Sequence, residues 1–284
     1  MATPAGKLSI RRILVALDAS PQSLAALQAA VELSAKLKAE LLGLFVEDID
    51  LLMLADSPYA RDVLFPTGKD TPLDRSSMER KFKAQAEQAR RALVAVANQA
   101  KVAWSFRVVR GSVSSEILMA AAGCDLLALG RVGWSLLKKS GIGSTAMAAL
   151  SEAVPALLLS SGTALAKRPI LVWCNGTPAS ERAVLAAAEL AQLESSELIV
   201  LLPPSGQQAN NHLRNHVVDL VKDIEVEVHC RYLHSSAEGD FLSAMRAIRP
   251  SVIILAGKEP FADKTNLLAL LDELQVTALF LGQT

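Results

Sequence analysis

The sequence predicts an α/β fold made of two tandem doubly wound parallel five-stranded sheets, and two observations carry that prediction. The stretch ILVALDASPQSLAALQAAVELS at Ile13–Ser34 is matched by ILVWCNGTPASERAVLAAAELA at Ile170–Ala191, so one unit occurs twice. In each copy an apolar run ends in a polar turn carrying Ser or Thr then Pro, and an Ala-rich amphipathic stretch follows; this reads as strand, helix N-cap, Pro at the first helical position, helix. Strands alternating with helices form a mostly parallel sheet covered on both faces.

After its first strand and helix, the first copy continues with LLGLFV (Leu41–Val46), a helical stretch at Asp74–Asn98, WSFRVVR (Trp104–Arg110), a helix near Ser114–Ala122, DLLALG (Asp125–Gly130), a helix from Ser144, and PALLLS (Pro155–Ser160). The second copy offers ILVWC, ELIVLL, EVEVHCRYL, SVIILAG and TALFLG as strands, with helices near Asn211–Lys222, Asp240–Ile248 and Asn266–Leu274. The join falls at Gly162–Lys167, dividing the chain into domains 1–164 and 165–284. Asp50–Pro72 interrupts the alternation with an excursion of the kind that serves as a lid, an interface loop or a mobile segment.

Composition narrows the function classes. With 51% hydrophobic and 20% charged residues and only 15 Gly and 12 Pro among 284, the chain fits neither disordered nor collagen-like sequence. Its 29 basic residues balance 29 acidic ones, which removes the positive excess that nucleic-acid binding draws on. Cut near residue 166, the first part carries 19 basic against 15 acidic residues and the second 10 against 14, or +4 and −4. Three separated cysteines, Cys124, Cys174 and Cys230, argue against a disulfide framework and fit a reducing cytoplasm. The N-terminal MATPAGKLSIRR has no apolar core of a signal peptide, and no stretch reads as a membrane span.

The most specific chemistry lies in GRVGWSLLKKSGIGSTA. Gly130 ends an apolar strand, Gly133 follows after two residues, and Gly143-Ser144 after nine more. Glycines let the backbone approach a ligand closely, and a helix opening at Ser144 and Thr145 attracts anions through its free N–H groups and dipole, so the segment reads as a phosphate cradle. Gly141 to Ala146 also spells the G-x-G-x-x-A dinucleotide fingerprint, but Lys138-Lys139-Ser140 precedes it instead of a strand. Lys138, Lys139 and Arg131 are candidates for screening phosphate charge, or simply solvated surface.

Gly, two residues, Gly, nine residues, Gly-Ser is similar to the ATP-binding motif of the universal stress protein family, and the chain resembles a tandem member over nearly its whole length. The resemblance implies an adenine nucleotide alpha hydrolase-like fold with strand order 3-2-1-4-5 in each copy. That order puts Asp18 and Gly130 on either side of the topological switch point, where open α/β sheets bind ligands. It further implies the Val46 backbone at the adenine, Gly130 at the ribose, Gly133, Gly143, Ser144 and Thr145 at the phosphates, and Asp18 at the nucleoside or a phosphate-bound Mg²⁺. Ala16-Leu17 departs from the family, many of whose members carry a proline two residues before the aspartate.

In the second copy Asn175 replaces Asp18, and Gly257 follows the fourth strand with no second glycine and no later Gly-Ser, while Glu259 and Asp263 would repel phosphate. The cradle is missing there. His212 and His216, four apart in a helix, read as surface histidines, and His229 and His234 lie on or beside a strand without ligand-like spacing. Cys174 reads as a small buried hydrophobe. The resulting expectation is a cytoplasmic stress-response protein that binds ATP and Mg²⁺ in its first domain, has a regulatory output through protein partners, and packs its copies as an internal pseudo-dimer, with further homodimerisation open. A slow ATPase, with Asp18 the only candidate base, and a scaffold that binds no nucleotide are the alternatives.

Overall fold

A computed structural model describes residues 10–57, 59, 61–64, 69–72, 74–130, 144–151, 156–160, 168–204, 207–235, 238–256 and 264–282. The first part runs β1 (Arg12–Ala16), α1 (Pro21–Leu37), β2 (Glu40–Asp48), α2 (Ile49–Ala55), β3 (Arg61–Leu64), β4 (Lys69–Pro72), α3 (Arg75–Gln99), β5 (Trp104–Gly111), α4 (Val113–Ala121), β6 (Leu126–Gly130), α5 (Ser144–Ser151) and β7 (Ala156–Ser160). The second runs β8 (Ile170–Trp173), α6 (Pro178–Glu194), β9 (Leu198–Leu202), α7 (Gln207–Leu220), β10 (Val228–Tyr232), α8 (Glu238–Ile248), β11 (Val252–Ala256), α9 (Lys264–Leu274) and β12 (Thr277–Leu281). The expected excursion therefore contains a short helix and the hairpin β3–β4, paired apart from the main sheet. The expected join lies outside the described residues.

The repeated sequence forms the same local structure twice. The Ser20 side chain accepts the Ser23 N–H and Pro21 opens α1; the Thr177 side chain accepts the Ser180 N–H and Pro178 opens α6. These are N-cap and first-turn arrangements that satisfy donors a helix start leaves orphaned. Both helices stop at a residue in the left-handed region, Lys38 at φ 56° and Ser195 at φ 50°.

The strands follow the order β10-β9-β8-β11-β12-β7-β6-β1-β2-β5 in a ten-stranded sheet. With the excursion hairpin set aside, the first part reads 3-2-1-4-5 outward from β5, and the second reads the same from β10. The expectation of two separate sheets is thus corrected: β7 and β12 pair antiparallel, Ala156 opposite Leu281 and Leu159 opposite Ala278, and fuse the fives into one sheet. Every other pairing in this sheet is parallel. Strand direction consequently reverses at the seam, and the carboxyl ends of the two fives lie at opposite edges.

Each sheet face carries a core that runs across the seam. Side chains of α1, α3, α6 and α7 cluster on one face with Ile13, Val15, Ile170 and Val172; those of α4, α5, α8 and α9 cluster on the other with Leu14, Leu127, Leu171 and Ile253. The alternation along β1 and β8 sends neighbouring residues to opposite cores. Above the seam α1 and α6 are linked by an ion pair between Lys36 Nζ and Glu194 Oε1, 2.5 Å apart. Beneath them is a small apolar cavity of about 30 Å³ lined by Leu33, Leu158, Leu190 and Leu279 among others.

The seam is a hydrophobic joint. Leu157, 1% exposed, lies opposite Phe280 in it. Leu157→Ala is expected to lower the unfolding free energy of the whole chain by about 2–5 kcal/mol, read from urea denaturation.

Candidate functional site

At the first switch point β1 and β6 run side by side, Val15 opposite Ala128, and their crossovers leave in opposite directions. Beyond β1 the Leu17 N–H donates to the Leu44 carbonyl at 2.8 Å, and the chain turns. Asp18 holds that turn: its Oδ1 accepts the Ser20 N–H at 2.9 Å, and its own N–H donates to Ser23 Oγ at 3.3 Å. Ala19 takes φ 60° between them. One carboxylate oxygen of Asp18 is thus committed to starting α1.

Gly130 sits at the end of β6 directly beneath that helix start. A Cβ there would lie 2.7 Å from both the carbonyl carbon and the oxygen of Gln22, inside van der Waals contact with backbone that cannot swing away. The structure therefore brings Gly130 to the first turn of α1, on the other side of the switch point from β1. Val46 falls within β2, which extends to Asp48 and not only to Val46; its side chain packs with Ala16 on the face occupied by α4 and α5.

Two helix starts meet on this face. Ser114 Oγ in the first turn of α4 and Thr145 Oγ1 in the first turn of α5 are 3.3 Å apart. Ser112, the N-cap of α4, makes no side-chain capping hydrogen bond. Aligned N–H groups at such ends carry partial positive charge and favour anions. Glu116, folded back against Gly111, contributes the acidic group of the α4 first turn. Ser112 and Ser114 were not singled out from the sequence, where a serine after a strand reads as an ordinary cap. Gly133, Gly143, Arg131, Lys138 and Lys139 lie outside the described residues, as does the side chain of Ser144, whose backbone opens α5.

The second switch point repeats the turn with a neutral residue. Asn175 Oδ1 accepts the Thr177 N–H at 3.2 Å and the Thr177 hydroxyl at 2.7 Å, and Gly176 takes φ 80°. Leu127 aligns with Leu14, and Ile253 with Leu171, so the counterpart of Gly130 is Ala256 and Gly257 comes one residue later than expected. Helix α7 leans on this turn, with Leu213 3.3 Å from where a Gly176 Cβ would be. His216 is not an isolated surface imidazole: its Nε2 lies 2.8 Å from Glu181 Oε1 in the first turn of α6. Cys174 is fully buried, and desolvation raises its thiol pKa above the ordinary value against opposing hydrogen bonds from Gly176 and Ser180, which suits packing and not reactivity.

A doubly wound, mostly parallel sheet covered by helices on both faces, with strand order 3-2-1-4-5, defines an α/β protein of nucleotide-hydrolase-like fold. The model of the universal stress protein family matches residues 9–158, just over half of the chain, and the chain belongs to that family. Among solved structures it is similar to a universal stress protein from Archaeoglobus fulgidus DSM 4304, with a TM-score of 0.69 and 16% identity over 96% of this chain and 98% of that one. It is also similar to a functionally unknown protein from Pseudomonas aeruginosa PAO1, with a TM-score of 0.54 and 14% identity over 96% of this chain and 93% of that one. At these identities the likeness concerns the fold. No curated protein sequence matches the chain. Among the described residues no helix is long and apolar enough to cross a membrane.

The internal comparison yields a stability test. Gly130→Ala forces a methyl against the Gln22 backbone and is expected to cost about 1–3 kcal/mol by overpacking. Ala256→Gly, at the matching position, is expected to cost no more than about 1 kcal/mol. Denaturant unfolding of the two variants measures both.

Proposed function

We propose that the chain is a tandem universal stress protein, with domains 1–164 and 165–284, whose first domain binds ATP with Mg²⁺ and whose second does not. The observation that carries this reading is the 3.3 Å approach of Ser114 and Thr145, which brings the starts of α4 and α5 together on the face of the sheet they both cover. An anion there meets two sets of backbone donors at once. Gly130, Gly133, Gly143, Ser144 and Thr145 would carry the ribose and phosphates, the Val46 backbone the adenine, and Asp18 the nucleoside or the metal. In the second domain Ala256 stands where Gly130 does, and the Gly-x₂-Gly-x₉-Gly-Ser spacing is lacking.

The output is regulatory. Asp18, the one candidate base, spends an oxygen on the α1 turn, and no other residue described at the crevice is placed to activate water. ATP would act by favouring the conformation that binds it better and so changing a surface read by protein partners. The three free cysteines fit a reducing cytoplasm.

Calorimetric titration of ATP with Mg²⁺ tests the reading. The expected result is one saturable site per chain, lost in Gly143→Val while the circular dichroism of the fold persists; absence of binding to the unsubstituted protein overturns it. Asp18→Asn separates the two roles of that residue. Because Asn175 holds the same turn, the variant is expected to keep stability within about 0.5 kcal/mol, whereas Asp18→Ala loses about 0.5–2 kcal/mol with the turn acceptor. If Asp18 also meets the ligand, Asp18→Asn weakens Mg²⁺-dependent ATP affinity while unfolding is unchanged.

A further inference from the structure

The amino ends of β9 and β10 gather three side chains of metal-ligating type, Glu197 from one strand end and Glu227 and His229 from the next. Glu197 precedes β9, Glu227 precedes β10 and His229 follows within it; their ligand atoms all lie within 4.8 Å of one another. His229 Nε2 is 3.2 Å from Glu227 Oε1. The carriers are fixed by the sheet, because the Glu197 carbonyl accepts the Ile170 N–H and the Glu227 carbonyl accepts the Leu198 N–H, each at 2.9 Å. Leu198 pairs with Val228, so the two glutamates are direct cross-strand neighbours, and Glu227 and His229, two apart on one strand, share a face.

The duplication supplies an internal control. By register Ile13, Leu41 and Trp104 of the first half correspond to Ile170, Leu198 and Val228 of the second. One residue earlier, the first half has Arg12, Glu40 and Ala103, and the second has Pro169, Glu197 and Glu227; one residue after Trp104 stands Ser105, where the second half has His229. In the first half the glutamate is neutralised, Glu40 Oε2 lying 3.1 Å from the Arg12 guanidinium. In the second half that arginine is gone, a second carboxylate and an imidazole have been added, and among the described residues no Lys or Arg pairs with either glutamate. Like charges directly opposite on neighbouring strands destabilise a sheet. A divalent cation in place of the lost arginine removes that cost.

From this arrangement we propose a divalent transition-metal site formed by Glu197, Glu227 and His229. Two carboxylates and one imidazole are the donor set of zinc and its neighbours, and the exposure of all three leaves remaining coordination positions to water. The site is separate from the nucleotide crevice and takes a bare cation without ATP. By clamping β10 to β9 it stabilises an edge of the sheet.

The test is titration of ZnCl₂ into the metal-stripped full chain, by calorimetry in a non-coordinating buffer without nucleotide. The expected result is one zinc per chain, with affinity weakened at least about tenfold in Glu197→Gln and in His229→Ala. Cys230→Ser and His234→Ala leave it unchanged, and the midpoint of thermal unfolding rises with zinc only where the site is intact. No saturable binding, or binding indifferent to both Glu197→Gln and His229→Ala, overturns the proposal. Because ATP is absent throughout, neither result bears on the reading of the first domain.

Discussion

The antiparallel pairing of β7 with β12 is the constraint on which the rest of the molecule depends. Each five-stranded half has parallel internal pairings whose helices cover both faces, but such a half ends at its fifth strand in an open apolar edge. LLL in β7 and ALF in β12 satisfy one another there. The pairing converts two edges into an interior and lets the helix layers of both halves close over continuous cores. Relations between the sites then follow from direction alone. Since the strands reverse at the seam, the carboxyl ends of β1 and β6 share an edge of the sheet with the amino ends of β9 and β10, so the first switch point and the Glu197–Glu227–His229 cluster lie along the same edge.

The two switch points show one turn held by an acidic residue in the first half and a neutral one in the second. Asp18 and Asn175 offer the same acceptor to the same backbone position. What differs is the floor: Gly130 lets the start of α1 descend onto β6, whereas Ala256 carries a methyl at the matching place. Gly130, the first glycine of the motif, is one that packing alone also demands. The starts of α4 and α5 meet where the two helices share a core, with Ser114 Oγ and Thr145 Oγ1 3.3 Å apart.

The alternation of elements was legible because it is written in local chemistry. Ser20-Pro21 and Thr177-Pro178 announce helix starts, and apolar runs such as ILVA and LIVLL announce strands, so boundaries differ from expectation by a few residues at most. The seam was not legible, since nothing in PALLLS or TALFLG says whether its edge stays open or meets another strand. The shift from Gly257 to Ala256 was hidden for a similar reason: sequence aligns glycine with glycine, while the ladder aligns the residues that pair. The metal cluster was missed because spacing along the chain was the only signal weighed for His229, and its partner Glu197 comes from the neighbouring strand.

The place of β12 in the sheet also governs the order in which the molecule can be completed during synthesis. Strand β7 leaves the ribosome long before β12, and until then Leu157, Leu158 and Leu159 border an unfilled edge. A nascent chain in this state carries the feature that drives aggregation of partly folded proteins, an unpaired apolar strand beside a formed sheet. Translation pauses within the second half lengthen that exposure, and chaperones that shield apolar strands shorten it. The fused architecture therefore ties the yield of folded first half to how quickly the far end of the sequence arrives.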